Sequence, residues 1–182
     1  YNACVLKGVL EHWPLKSVRD VEAPLNVVAG LGFFGKLNFV LGGETMSLHH
    51  LEQGVVRKRF SDPRIHFVLN CASGGCPVLR PELPTGDALE PSLARAARDF
   101  VADSANVLVD HEAKVLRLSQ IFDWYRSDFD AELTRRGLPP ATRTLAAYVH
   151  LVSGGERRVE LERALTYRIE FLPYEWDLNA SG

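Results

Sequence analysis

The apolar residues of this chain come in short runs of two interleaved kinds, and that interleaving limits the fold more than any other feature. Some recur three and four positions apart, as on one helix face; others form runs of strand length bounded by glycine and proline. Val5, Leu6, Val9, Leu10 and Trp13 predict a helix over about residues 2–12, which Pro14 ends. Residues 14–35, with Pro14 and Pro24, read as irregular connection. Residues 36–46 read as a hairpin turning on Gly42-Gly43. Ser47 is placed to cap a helix with Leu48, Leu51 and Val55 on its buried side. After Asp62-Pro63, residues 65–69 read as a central strand, followed by a Gly/Pro-rich loop from Cys71 to Gly86. Asp87 can cap a helix whose inner face is Leu89, Leu93, Ala96, Ala97, Phe100 and Val101, with Pro91 in its first turn. A second hairpin is expected over 107–109 and 115–118, then a helix over 120–129 capped by Ser119. Further helical segments are expected at 145–152 and 159–165, and a final strand at 167–172. Helices mixed with short hairpins predict an α+β fold over a βαβ parallel sheet. The expectation is a single domain over 1–182, helices packed on a small, mostly antiparallel sheet.

Composition narrows the function classes. The 182 residues carry 21 Lys and Arg against 23 Asp and Glu, a net charge of −2, without the basic surplus of a general nucleic-acid binder. With 46% hydrophobic and 24% charged residues, wholesale disorder is excluded. No apolar run is long enough to span a membrane. Three cysteines are too few for a disulfide-dense scaffold, and the odd count leaves at least one unpaired within the chain. The opening residues Tyr1-Asn2-Ala3-Cys4-Val5-Leu6 already read as mid-helix, so an N-terminally truncated domain is expected.

The chemistry-bearing residues cluster around one loop. His66 lies in the expected strand, Cys71 just beyond it, and Cys76 in the loop. Strand alternation points His66 and Cys71 to opposite faces unless the chain turns first, whereas Ser73-Gly74-Gly75 lets Cys76 fold back. Pro77 suits the first residue of a helical turn, which would lower the Cys76 thiol pKa. One reading is nucleophilic catalysis: Cys76 or Cys71 as nucleophile, His66 as general base, an acid such as Glu52 orienting the imidazole, and the Gly74 and Gly75 amides as oxyanion donors. That describes a thiol-dependent hydrolase or acyl transferase acting on an amide or thioester. A second reading is a non-catalytic binding or scaffold domain in which a Cys71–Cys76 disulfide pins the loop and Cys4 is a small buried hydrophobe. A third is two ordinary buried thiols beside a hydrogen-bonded core histidine. Zinc is disfavoured, because the cysteine spacing is not the usual ligand pair and further ligands would come from His49, His50 or His111. No cofactor is expected, and the ligand is an unspecified small molecule or peptide.

Arg64 and Arg80 flank the loop and can each clamp a substrate carboxylate; a structural pair with Glu52, Asp62 or Glu82 is the plainer expectation. Glu52, His49 and His50 read as solvent-facing. Trp124, Tyr125, Tyr174 and Trp176 can line a cleft or anchor the core.

The segment Asp62-Pro63-Arg64-Ile65-His66-Phe67-Val68-Leu69-Asn70-Cys71-Ala72-Ser73-Gly74-Gly75-Cys76-Pro77-Val78-Leu79-Arg80 resembles the signature of the bacterial and plant family known as domain of unknown function 547. Tyr1-Asn2-Ala3, Gly42-Gly43-Glu44 with Ser47-Leu48 and Leu51-Glu52, the stretch 119–129, and Leu172-Pro173-Tyr174-Glu175-Trp176 with Leu178-Asn179 fit the same family in order. Gln53 stands where members commonly carry His, and His49-His50 where they carry acids. The resemblance implies a fold-sized unit and a site at the cysteine segment, without naming a reaction. Bacterial members are often exported, so it also implies an extracytoplasmic location.

Overall fold

The computed structural model describes residues 1–21, 30–82 and 85–179. The expectation of irregular structure over 14–35 falls partly on residues outside that set, Pro24 among them, as do residues 83 and 84 of the expected loop. The chain is α+β, with its elements in two compact units, neither of them a continuous stretch of sequence.

The first unit comprises Tyr1–Ser61, Leu69–Leu79 and Glu175–Gly182. Its helix α1 (Asn2–Glu11) buries Cys4, Val5, Gly8 and Val9. The expected hairpin forms as β1 (Asn38–Leu41) and β2 (Glu44–Ser47), antiparallel, with Leu41 opposite Glu44 across Gly42 and Gly43. Both glycines have positive φ, +60° and +86°, which is why this turn takes a Gly pair. The Ser47 hydroxyl accepts the His50 amide at 3.1 Å, as the expected cap does. The helix it opens is wide: a π-helical stretch, His50–Val56, continues into the short α2 (Arg57–Arg59). Leu48 is fully buried, whereas Leu51 and Val55 are half-buried. Cys4, Val5, Val9, Val18, Phe33, Phe39 and Leu48 form this unit's core.

The second unit comprises Asp62–Val68 and Arg80–Tyr174. It contains α3 (Leu89–Ala102), β3 (Val107–Asp110), β4 (Val115–Leu118), α4 (Gln120–Trp124), α5 (Arg126–Arg135), α6 (Leu145–Val152), α7 (Gly155–Arg163) and β5 (Arg168–Phe171). Strands β3 and β4 form the expected hairpin. β5 joins β4 in parallel, as a strand can after a long helical crossover. Helix α3 buries Leu93, Ala96, Ala97, Phe100 and Val101, but Leu89 is exposed. Asp87 does not cap α3; it sits in a 3-10 turn, Gly86–Ala88, that runs into the helix.

One strand expectation and one helix expectation are corrected. Residues 65–69 are not a strand: Pro63–Phe67 form a 3-10 turn capped by Asp62, whose carboxylate accepts the Arg64 amide at 2.9 Å. Pro63 has the φ of a first helical residue, and Ile65, His66 and Phe67 are all buried, so the apolar run carries no alternation to separate a strand from a buried turn. The helix expected over 120–129 breaks at Tyr125, where the backbone leaves the helical region (φ −110°, ψ 23°). Ser119 does cap its first part, accepting from the Ile121 amide.

Candidate functional site

The loop 69–79 is held from three directions within the first unit. Cys71 and Cys76 are joined as a disulfide, with Cα atoms 6.0 Å apart. Around the bridge, Asn70 forms a second, non-covalent clasp. Its Oδ1 accepts the Ala72 amide at 2.7 Å, its Nδ2 donates to the Pro77 carbonyl at 2.7 Å, and its own amide donates to Asn2 Oδ1 at 2.9 Å. The C-terminal segment supplies the third hold. The amides of Gly74 and Gly75 donate to the carbonyls of Asp177 (2.8 Å) and Glu175 (3.0 Å), and the Asn179 amide donates to the Ala72 carbonyl at 2.8 Å. That segment is tied on its other side to Lys16 and Ser17, with Ser17 Oγ donating to the Trp176 carbonyl and Arg19 over the Trp176 ring.

Local geometry explains the residue types. A Cβ on Gly74 would come within 2.9 Å of the Glu175 carboxyl, so the strap can approach only a glycine there. Ala72 has φ 63°, an uncommon conformation for a residue with a Cβ, and hydrogen bonds on both its amide and its carbonyl hold it there. Ser73 is fully buried, its Oγ 3.0 Å from Cys71 Sγ and 3.3 Å from Cys76 Sγ. The Cys71 amide donates to Cys76 Sγ at 2.9 Å. No helix follows Cys76: residues 77–80 are irregular, so the helical turn expected at Pro77, with its effect on the thiol, is absent. Cys4 is free and buried in α1.

His66 belongs to the second unit, while Cys71, Cys76 and Glu52 belong to the first. The His66 side chain is 1% exposed, its Nε2 is 2.9 Å from Asp128 Oδ2, and its ring stacks on Tyr125 with centroids 3.6 Å apart. The break between α4 and α5 falls at Tyr125, the residue whose ring makes that stack. Glu52, half-buried, accepts from Gln53 Nε2 at 3.0 Å. His49 and His50 are exposed, and the His50 ring lies so close over Gly54 that a Cβ there would sit 3.0 Å from it.

Arg64 takes the structural pairing. Its Nε and Nη2 bond to Asp62, and its Nη1 and Nη2 reach Glu90 at 2.7 and 2.8 Å, so the whole fork is engaged. The two carboxylates hold the guanidinium well above its ordinary pKa. Burial pushes the Asp62 carboxyl up, but the hydrogen bonds and charge of Arg64 outweigh it and leave Asp62 below the usual range. Arg80 pairs with Asp99. Trp124 and Tyr174 pack together with centroids 4.7 Å apart. An open groove in the first unit is lined by His12, Pro14, Leu15, Lys16, Asp20 and Val21, none of them a candidate site residue of the sequence analysis. Among the described residues, no group of three His, Cys, Asp or Glu side chains is placed to hold a metal ion, and no helix is long and apolar enough to cross a membrane.

Sequence reasoning missed four positions that shape these places. Asn70 had a local signal, since Asn readily accepts the amide two residues on. Ser73 lies between the cysteines, where its own signal is only that of a loop residue. Asp128 and the Asp177 carbonyl had no local signal, because each is brought to its partner from more than 60 residues away.

An α+β chain with a Gly-rich loop closed by a disulfide and strapped by its own C-terminal segment defines the architecture. The family model described as "Protein of unknown function, DUF547" matches residues 1–101 of the 182, and the chain belongs to that family. Comparison with curated proteins and with solved structures gives no match.

Proposed function

We propose that this domain is a non-catalytic binding or scaffold unit whose recognition loop, residues 71–79, is fixed by the Cys71–Cys76 disulfide and takes a small-molecule or peptide ligand. The observation that carries the reading is the state of the loop amides. Gly74 and Gly75 donate to the Asp177 and Glu175 carbonyls, so the donors that an acyl-transfer site needs for its oxyanion are already committed. Both sulfurs are engaged in the bridge, and a bridged sulfur is not a nucleophile. Beyond the bridge, the loop turns Val78 and Leu79 to solvent on this fixed frame, which supplies apolar contact area.

One observation favours a second reading, the thiol-dependent hydrolase or acyl transferase. The Asp128 carboxylate holds the His66 imidazole at 2.9 Å, the base-to-orienter contact of a catalytic triad. In that reading Asp128 takes the role expected of Glu52, and the reaction requires the reduced loop.

A panel of amide and thioester substrates separates the two. The binding reading expects no turnover by the oxidised or the reduced protein. Turnover that appears on reduction and vanishes in Cys76→Ala overturns it in favour of the enzyme.

A further inference from the structure

We infer that the Cys71–Cys76 disulfide is an exchangeable bond, attacked at Cys71 by an external dithiol and releasing Cys76 as the thiolate. The inference goes beyond the binding reading, which concerns the bridged loop and stands whichever way the exchange test falls.

The first ground is redundancy. A bridge that served only to staple the loop would be the main thing holding it. Here Asn70 clasps Ala72 and Pro77 across the same turn, and the C-terminal segment takes the amides of Gly74 and Gly75. The ring closed by the bridge is also short, five residues of separation, where a cross-link restricts the unfolded chain least. Opening the bond therefore leaves both sulfurs facing each other on a standing framework, the condition for closing it again.

The second ground is the asymmetry of the two sulfurs. Cys76 Sγ receives the Cys71 backbone N–H at 2.9 Å. Disulfide sulfurs carry no hydrogen, so the Ser73 hydroxyl beside them can only donate, and it reaches Cys76 Sγ at 3.3 Å as well as Cys71 Sγ at 3.0 Å. The Cys71 amide is fixed on Cys76 Sγ, and the single Ser73 hydrogen, nearer Cys71 Sγ in the closed bridge, can turn to Cys76 Sγ once the bond breaks, which provides Cys76 to carry negative charge. Cys76 is 8% exposed, and Cys71 is the more open of the pair. Exchange proceeds by attack on the accessible sulfur with departure of the more acidic thiol, and both criteria select the same direction.

The step balances as follows. One thiolate of the dithiol attacks Cys71 Sγ; a new S–S bond forms, the Cys71–Cys76 bond breaks, and its electron pair leaves on Cys76 Sγ, stabilised by the Cys71 amide and Ser73. The second thiol of the reagent, deprotonated, then attacks the reagent sulfur bound to Cys71. The cyclic disulfide departs and Cys71 is released as thiolate. Two electrons pass from the dithiol to the protein, and the two protons the dithiol loses end on Cys71 and Cys76.

The test uses the whole chain, oxidised, with dithiothreitol as the dithiol at neutral pH. Samples are acid-quenched, alkylated and weighed as intact protein, with near-ultraviolet circular dichroism recorded in parallel. The expected result is reduction of the bridge without denaturant, an unchanged tertiary spectrum, and full return of the bridge with oxidised dithiothreitol. Ser73→Ala is expected to slow reduction about fivefold, the worth of one hydrogen bond to the leaving sulfur, and Ser73→Thr to restore most of the rate. In Cys71→Ala, the Cys76 thiol is expected to titrate below the ordinary value of about 8.5. A bridge that opens only in denaturant, a tertiary spectrum lost on reduction, or a Cys76 thiol titrating at or above the ordinary value overturns the inference. If Ser73→Ala does not fold, the wild-type reduction and the Cys71→Ala titration decide it.

Discussion

Asp128 Oδ2 stands 2.9 Å from His66 Nε2, joining helix α5 to a 3-10 turn 62 residues earlier in the chain. The imidazole is closed in by this carboxylate and by the Tyr125 ring. Replacing Asp128 by Ala removes the carboxylate from a buried ring nitrogen and is expected to cost about 1–3 kcal/mol. Asp128→Asn, which keeps an acceptor, should cost less. Urea denaturation of both variants, with Asp128→Ala and His66→Phe combined in a double-mutant cycle, checks the coupling. Additive losses would show that the contact contributes nothing.

The Asp62–Arg64–Glu90 cluster makes stability depend on acid. Both carboxyls lie below their ordinary values: for Asp62, Arg64 outweighs the opposing effect of burial, and for exposed Glu90 the hydrogen bond and charge of Arg64 prevail. A depressed folded pKa contributes stability that is complete above the unfolded value, about 4, and is lost as pH falls through the folded one. Asp62→Asn should flatten the stability profile in that acid window and leave its shape near pH 7 unchanged. Arg64→Ala should cost about 2 kcal/mol at neutral pH and weaken the same acid dependence. Denaturation midpoints between neutral and acid pH measure both.

Tyr148 buries its hydroxyl in the second unit's core with no hydrogen-bond partner among the described residues. Burial, helped by the charges of Asp62 and Glu132, pushes its phenol well above the ordinary range. Tyr148→Phe deletes an unsatisfied polar atom at nearly constant shape and should stabilise the protein by about 1 kcal/mol. In the wild type, this raised pKa contributes stability that is whole below about pH 10 and declines above it. The variant should lose that part of the alkaline decline. A lower melting temperature for Tyr148→Phe would show that the hydroxyl has a partner after all.

Gly8 sets helix propensity against packing. Within α1, Ala for Gly should gain about 1 kcal/mol by propensity alone. A Cβ at this position, however, would come 3.1 Å from the ring of Phe33, which is fully buried and has little room to move. Gly8→Ala is therefore expected to destabilise the protein by about 1 kcal/mol. A stabilised variant in thermal denaturation would mean that Phe33 yields.

Elements whose signals are local were legible in the sequence. The Gly42-Gly43 hairpin, the first helix and the inner face of α3 follow from turn chemistry and 3.6-residue spacing, which a chain carries wherever it is placed. The Cys71–Cys76 bridge stood among the open alternatives because a five-residue spacing with glycines permits it, and permission is all that spacing provides. The run 65–69 misled because Ile65, His66 and Phe67 are buried in succession, which erases the periodicity that separates strand from turn. Tyr125 misled because the helix break there carries no glycine or proline.

The sequence by itself determined the α+β class, the hairpins and a Gly/Pro-rich loop with two cysteines, since each depends on neighbours within a few residues. Only the tertiary structure decided that the loop amides belong to Glu175 and Asp177, that the carboxylate on His66 is Asp128, and that Arg64 is saturated by Asp62 and Glu90. Those pairings, apart from Asp62 with Arg64, join residues far apart in the chain. They are contacts that exist only once both segments have been folded to the same place, so no local pattern can encode them.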